Sequence, residues 1–231
     1  MNVRVAQVKG SKAELIRDEQ AEFVELLRSL PSASWSRPSL CTGWSVREVV
    51  LHTAAHIHNQ QRDKTIVEEY SKRSEAELIE WLESAPFESK SPSARIRRLS
   101  SEVQRGELMI HQQDVRRALE MPRTIPTGRI TAVLEFGLRR LGGLSLAYGR
   151  QRSNGLRLVS SESDWAWGSG PEVRGKLEAI LMATSGRRPA LDDLDGAGVA
   201  TLAERIENPS FLVRKSLDIS SSATARVPEP G

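Results

Sequence analysis

Four long stretches with the apolar spacing of an amphipathic helix occupy the first 150 residues, and this pattern is the strongest constraint on the fold. Leu15, Phe23 and Leu27, for example, recur at helical spacing and share one predicted face. The stretches span residues 12–30, 45 to about 70, 94–119 and 129–148, with a shorter amphipathic helix over residues 75–83. Connectors that contain proline or glycine separate them. This organisation predicts a helical bundle.

The second helix has the clearest start. Ser45 and Glu48 form a capping box, in which the serine oxygen accepts from an early backbone N–H and the glutamate reaches back to the cap. Trp44 before the cap and Val49 after it are placed for a hydrophobic staple. Since nothing breaks the pattern before about Tyr70, we expect one helix from Ser45 to that point.

The pattern changes after Gly149. Residues 154–172 alternate apolar and polar on both sides of a Ser-Glu-Ser turn, which predicts a β-hairpin. Helices are expected over residues 173–184 and 198–206, and a disordered tail from residue 220. The predicted fold is therefore mainly α, with a helical bundle in residues 1–150, a small α/β domain in residues 151–219 and a tail in residues 220–231.

Composition excludes several classes of protein. The net charge is only +3, and acidic residues lie close to every pair of arginines, so we expect a solvated charged surface and no nucleic-acid partner. No apolar run approaches the roughly 18 residues that a membrane helix needs. A single cysteine, Cys41, rules out an internal disulfide and predicts a reducing, cytoplasmic location.

The chain has four histidines, and three of them lie within seven residues on the second helix. His52 and His56 fall on the border of its apolar stripe, whereas His58 is expected to point to solvent. On the third long helix, Glu107 and His111 are four residues apart, a spacing by which one helix presents two ligands to a metal. Such pairs are often structural, so spacing alone leaves a metal site and a structural role equally open.

Three phrases of the sequence resemble one known family. They are WSRPSLCTGWSVREVVLH at residues 35–52, ELMIHQQDVRRALEMPRTIP at residues 107–126, and LRLVSSESDWAWGSGPEVRG at residues 156–175, the last followed by SGRRP at residues 185–189. Together they resemble the mycothiol-dependent maleylpyruvate isomerase family within the DinB-like metalloenzyme superfamily. The resemblance covers most of residues 12–207.

The resemblance implies a DinB-like four-helix bundle that binds a divalent metal, commonly zinc. The family's ligand positions match His52, Glu107 and His111 of this sequence. Three protein ligands leave a coordination position open, which is typical of a catalytic zinc site. In the family, that position is thought to receive the thiol of mycothiol, the low-molecular-weight thiol of actinobacteria, as a zinc-bound thiolate.

Three further residues have open roles. His56 is expected to line the pocket or pack, and it is the first substitute if Glu107 does not reach the metal. Asp114 could orient a ligand imidazole, or it could form a buried ion pair with an arginine, which we favour. Arg187 either lies at a helix end, where cations are favourable, or reaches over the metal to pair with a substrate carboxylate.

The resemblance therefore implies an enzyme that isomerises or S-conjugates a small electrophile, with mycothiol as the thiol cosubstrate and zinc or another divalent metal as cofactor. The alternative is a non-catalytic metal- or ligand-binding module on the same scaffold. Presence of all three ligand residues favours the enzyme. The expected partners are small molecules, with no membrane and no nucleic acid, and the protein is expected to be a monomer or a homodimer.

Overall fold

A computed structural model of the chain describes residues 12–58, 64–85, 93–139 and 149–208, apart from the side chains of residues 12–13 and 94–100. These residues fall into two compact units, divided between residues 146 and 147. The first unit is helical and the second contains a small sheet. The predicted fold class, a helical bundle followed by a small α/β domain, is confirmed. The predicted tail from residue 220 lies outside the described residues.

Six α-helices are described in the first unit, together with a 3-10 helix (Ser32–Ser34). They are α1 (Lys12–Ser29), α2 (Val46–Ile57), α3 (Lys64–Ser71), α4 (Glu75–Glu83), α5 (Ala94–Ala118) and α6 (Thr127–Leu138). The bundle consists of α1, α2, α4 and α5, because α1 packs against α4 and α5, and α2 packs against the same two helices. Helix α3 packs on α2, and α6 packs on α5.

The sequence predicts a different set of four principal helices for this bundle. By length, residues 129–148 supply a principal helix and residues 75–83 a minor one. In the structure the short helix α4 completes the bundle, because Leu78, Ile79, Trp81 and Leu82 are all buried on it. The described part of the later helix ends at Leu138, and residues 140–148 lie outside the described residues. Helix length in the sequence therefore does not identify the members of the bundle.

The capping box predicted at Ser45 is present. The backbone N–H of Ser45 donates to Glu48 Oε2 at 2.7 Å, and the Ser45 side chain accepts from the Glu48 N–H at 3.3 Å. This hydrogen bond from the Ser45 backbone lowers the pKa of Glu48 below its ordinary value. The start of α2 is therefore determined locally.

The predicted length of this helix is wrong. Helix α2 ends at Ile57, and a separate helix begins at Lys64, with residues 59–63 outside the described residues. His58 is the C-cap of α2, and its Nε2 lies 2.8 Å from the backbone oxygen of Trp81. A contact with α4, which is distant in sequence, thus accompanies the end of the helix.

The apolar core of the first unit lies between the four bundle helices. Its largest fully buried side chains include Phe23 and Leu27 of α1, Leu78 and Leu82 of α4, and Leu108 of α5. Val49 and Val50 of α2 are also fully buried. Burial of a side chain of this size contributes about 1.5–3 kcal/mol relative to exposure. The packing of α2 against α5 across this core places the residues discussed below.

A buried network of charges attaches α6 and the preceding connector to α1. Glu19 has no exposed side-chain area, and it forms ion pairs with Arg123 and Arg129. Both arginines also pair with Glu22, which is 38% exposed, and Arg129 Nη1 lies 2.6 Å from a Glu22 oxygen. Burial raises the pKa of Glu19, and the two arginine charges only partly offset this effect.

The second unit contains a four-stranded sheet. Its elements are α7 (Gly149–Ser153), β1 (Arg157–Ser160), β2 (Ala166–Gly168), β3 (Glu172–Gly175), α8 (Leu177–Thr184), a 3-10 helix (Arg188–Asp193), β4 (Leu194–Asp195) and α9 (Val199–Glu207). The strand order is β2-β1-β3-β4. Strands β1 and β2 form the predicted antiparallel hairpin, with Leu158 opposite Trp167.

One helix of the second unit starts later than predicted. Residues 172–175 form strand β3, which runs parallel to β1 and places buried Val173 beside Leu158. Helix α8 then begins at Leu177, whose N–H donates to Glu162 Oε1 at 3.2 Å. The sequence pattern around Val173 is compatible with a helix or a strand, and pairing with β1 in the sheet makes it a strand. Among the residues described, no helix is long and apolar enough to cross a membrane.

Candidate metal centre

His52 on α2 and the pair Glu107 and His111 on α5 come together where the two helices pack. The Nε2 atom of His52 lies 3.7 Å from Glu107 Oε2, and the Nε2 atom of His111 lies 3.2 Å from the same oxygen. One ligand atom from each residue lies within 4.8 Å of the others. Among the residues that the structure describes, these three form the group of His, Cys, Asp or Glu side chains that could hold a metal ion.

The donor set fits a divalent metal such as zinc. Two imidazole nitrogens and one carboxylate oxygen are common zinc ligands, and three protein donors leave one position of a tetrahedral site open. The exposed fraction of the side chain falls from 31% for His52 to 13% for Glu107 and 8% for His111. A small ligand would therefore reach the site from the side of His52.

The charges of the site are tightly coupled. Burial raises the pKa of Glu107, but the neighbouring imidazoles of His111 and His52, at 3.2 Å and 3.7 Å, outweigh burial and hold this pKa well below its ordinary value. Burial lowers the pKa of His111, but hydrogen bonds to Asp114 and Glu107 outweigh it and raise this pKa to about 9. Without metal, the protonated ring of His111 therefore lies between two carboxylates, and a metal ion at Nε2 must displace the proton on that nitrogen.

Asp114 lies directly behind His111. Its Oδ2 atom is 2.9 Å from His111 Nδ1, and its side chain has no exposed area. This contact is the one expected of a residue that orients a ligand imidazole, because it directs the other ring nitrogen, Nε2, toward Glu107. The structure pairs Asp114 with a histidine, and the arginine partner that the sequence favours stays a prediction.

The remaining histidines of α2 occupy different surroundings. His56 Nδ1 lies 3.8 Å from Glu107 Oε2, its side chain is 21% exposed, and burial lowers its pKa. His56 therefore lines the site. The prediction that His58 points to solvent is wrong, because His58 is half-buried and stacks on Trp81 with ring centroids 5.4 Å apart. Trp81 is distant in sequence, so helical periodicity gives no sign of this contact.

Trp44 belongs to the site although the sequence predicts only a hydrophobic staple for it. Its ring centroid lies 4.8 Å from that of His52, edge-on at 60°, and 6.5 Å from that of His111, nearly parallel at 19°. Trp44 is half-buried and also packs against the apolar core. The staple places Trp44 before the first turn of α2, whereas His52 lies in the second half of that helix, so the staple gives no sign of the ring contact.

Arg187 lies in the second unit, just after helix α8. Its Nη1 atom donates to the backbone oxygen of Ser185 at 2.9 Å. This is the position at a helix end that the sequence predicts, and a role for Arg187 in catalysis stays a prediction.

The chain is similar to known proteins in sequence and in fold. Residues 16–116 match the family model described as "Mycothiol maleylpyruvate isomerase N-terminal domain", a segment that contains His52, Glu107 and His111. No curated protein matches the chain. A crystal structure of the mycothiol-dependent maleylpyruvate isomerase is 15% identical, with a TM-score of 0.51, and the match covers 80% of this chain and 91% of that one.

A second crystal structure, of a mutant of that isomerase, is 16% identical with a TM-score of 0.48, over the same shares of the two chains. The likeness to the first of these structures shows the fold. Residues 16–116 thus match the N-terminal domain of the family that the sequence resembles, as that resemblance predicts.

Proposed function

We propose that this protein is a divalent-metal-dependent enzyme, with zinc as the expected metal, that uses mycothiol to isomerise or S-conjugate a small electrophile. The observation that carries the proposal is the convergence of His52, Glu107 and His111, with donor atoms within 4.8 Å of one another. These residues lie in the segment that matches the family model. An open coordination position and a partly exposed side support a catalytic role over a purely structural one.

The chain's own residues would divide the work. His52, Glu107 and His111 would hold the metal, and Asp114 would orient the ring of His111 through its contact with Nδ1. Glu107 carries a charge at neutral pH, since its pKa is held low, and so would offset part of the charge of the metal. A bound divalent metal lowers the pKa of a coordinated thiol, so the thiolate is available near neutral pH.

The two reactions share a first step. The thiolate sulfur would form a C–S bond to a carbon of an activated double bond, whose electron pair moves onto the activating group. In an isomerisation, the resulting single bond rotates, and expulsion of the same thiolate restores the double bond. In an S-conjugation, the C–S bond is kept and a proton adds to the neighbouring carbon. Neither route requires an oxidant or a reductant.

Metal analysis tests the proposal first. Protein purified without added metal should contain metal in an amount equimolar with the chain. The variants His52→Ala and His111→Ala should each lose this metal. His58→Ala is the matched control, because His58 lies next to α2 but contacts Trp81 instead of the ligand cluster. Retention of metal in His52→Ala, or its loss in a folded His58→Ala variant, would show that the assignment is wrong.

Turnover is the second test. The metal-loaded protein should accelerate reaction of mycothiol with an electrophile that carries an activated double bond, and the acceleration should disappear in His111→Ala. Stoichiometric metal without any thiol-dependent turnover would favour the alternative, a non-catalytic metal- or ligand-binding module. Arg187→Ala tests whether this residue recognises a substrate carboxylate, since KM should then rise for carboxylate-bearing substrates only.

A further inference from the structure

We infer that Trp44 is a positioning residue that holds the His52 imidazole ready for metal binding. Its role for His52 corresponds to the role of Asp114 for His111. This inference rests on the proposed metal site. It starts from a difference between the two ligand histidines of that site. One ring is fixed by hydrogen bonds, and the other is fixed by an aromatic contact.

The ring of His111 is held at both nitrogens. Its Nδ1 atom lies 2.9 Å from Asp114 Oδ2, and its Nε2 atom lies 3.2 Å from Glu107 Oε2. The side chain is only 8% exposed, so water cannot easily replace either partner. These contacts fix the ring orientation of His111, and the Asp114 carboxylate favours a proton on Nδ1.

The ring of His52 lacks such support. Its contact with an ionised group is the 3.7 Å separation from Glu107, and its side chain is 31% exposed. Its other contacts are with rings, at centroid distances of 4.8 Å to Trp44, 5.0 Å to His111 and 5.9 Å to His56. Trp44 is the nearest of these rings. Its edge-on arrangement is the one that aromatic pairs prefer at separations of roughly 4.5–7 Å.

Trp44 can hold a neighbouring ring because its own backbone is fixed. Its N–H donates to the Cys41 oxygen at 3.0 Å, and its oxygen accepts from the N–H and the hydroxyl of Ser39, both at 2.8 Å. The N–H of Leu40 donates to the backbone oxygen of Asp114 at 3.1 Å. The segment of residues 39–44 is thus tied to the residue that contacts His111, while its own tryptophan contacts His52.

A metal site needs its ligands in place before the ion arrives, and loss of a supporting residue typically weakens metal affinity roughly 10- to 100-fold. We therefore expect Trp44→Leu to weaken zinc affinity about 10-fold or more, because leucine fills space but offers no ring edge. Trp44→Phe keeps an aromatic ring and should therefore keep most of the zinc affinity of the wild type. Trp35→Leu is the control, since Trp35 lies in the same connector and is buried in the same core.

The experiment has two readouts. Zinc affinity is measured by competition with a chromophoric chelator, after circular dichroism has verified the fold of each variant. In metal-free protein labelled with 15N-histidine, the imidazole resonances of His52, assigned from the His52→Ala variant, should move in Trp44→Leu and less in Trp44→Phe. The resonances of His58 should stay in place. If the leucine variant does not fold, the His52 resonances of Trp44→Phe decide: a small movement supports the inference, and unchanged resonances overturn it.

The outcomes separate this inference from the proposed function. Equal zinc affinity in wild type, Trp44→Leu and Trp44→Phe overturns the inference while the metal site stands. An equal loss of affinity in Trp35→Leu also overturns it, because general destabilisation then explains the effect. If wild type binds no zinc, the proposed function fails, and the role in metal binding fails with it. The metal-free spectra then show whether Trp44 orients the His52 ring.

Discussion

Replacement of Asp114 by asparagine tests how the buried carboxylate supports the metal site. The amide is nearly isosteric and can still accept from His111 Nδ1, so the change removes a charge and leaves the shape. Both side chains are buried, at 0% and 8% exposure, and water cannot take over the lost role. Loss of such a partner should weaken zinc affinity roughly 10- to 100-fold. This corresponds to about 1.4–2.7 kcal/mol of binding free energy.

The size of this effect should depend on pH. In the metal-free wild type the pKa of His111 is raised to about 9, so near neutral pH a proton competes with the metal for this residue. At pH 7 this competition weakens wild-type binding by about 100-fold, at tenfold for each pH unit. The Asp114→Asn substitution lowers the pKa of His111 and so relieves the competition. The deficit of the variant should therefore be small near pH 7 and reach its full size near pH 9.

Competition titrations of zinc against a chelator, repeated across this pH range, measure the deficit. Glu102→Gln is a matched control, because Glu102 lies on the same helix. Its carboxylate pairs with Arg105 instead of a histidine. Equal affinity of wild type and Asp114→Asn near pH 9 would refute the reasoning. So would a deficit of the same size in Glu102→Gln.

Four further outcomes follow from the structure. Glu107→Gln should weaken zinc binding but leave the bundle folded, as elemental analysis and circular dichroism can verify, because its side chain lies at the edge of α5 and is 13% exposed. In metal-free protein, the pKa of His111 is raised from 6.5 to about 9, so the stabilisation present below pH 6.5 is lost as pH rises through 9; urea titrations should show a falling free energy of unfolding over that interval. Arg123→Met removes one partner of the fully buried Glu19 and should lower the free energy of unfolding by about 3 kcal/mol. Ser45→Ala removes the N-cap of α2 and should lower the free energy of unfolding by about 1 kcal/mol.

Local sequence signals predict much of the fold. The start of α2 depends on Ser45 and Glu48, which lie three residues apart, so a capping box read from sequence locates it. The end of α2 coincides with the contact between His58 and Trp81 of another helix, and no local signal reports such a contact. Val173 joins a strand because Leu158 lies beside it in the sheet.

The candidate site divides in the same way. Helical spacing predicts that Glu107 and His111 share one face, and that His52 and His56 share another. Whether those faces meet depends on how the helices pack, which family resemblance implies and periodicity alone does not. The ring contact between Trp44 and His52 and the bond between Asp114 and His111 depend on rotamers and on the path of a connector. Sequence patterns carry little information on either.

His52 and Glu107 lie more than fifty positions apart in the chain, on two neighbouring helices of the bundle. An ion that binds both would act as a crosslink across the bundle, and it would do so only in the folded chain. Its binding free energy would then add to the free energy of unfolding. A chelator should accordingly make the whole helical unit easier to unfold and to digest with a protease. The availability of metal in the cell would thus regulate the lifetime of the protein as well as its activity.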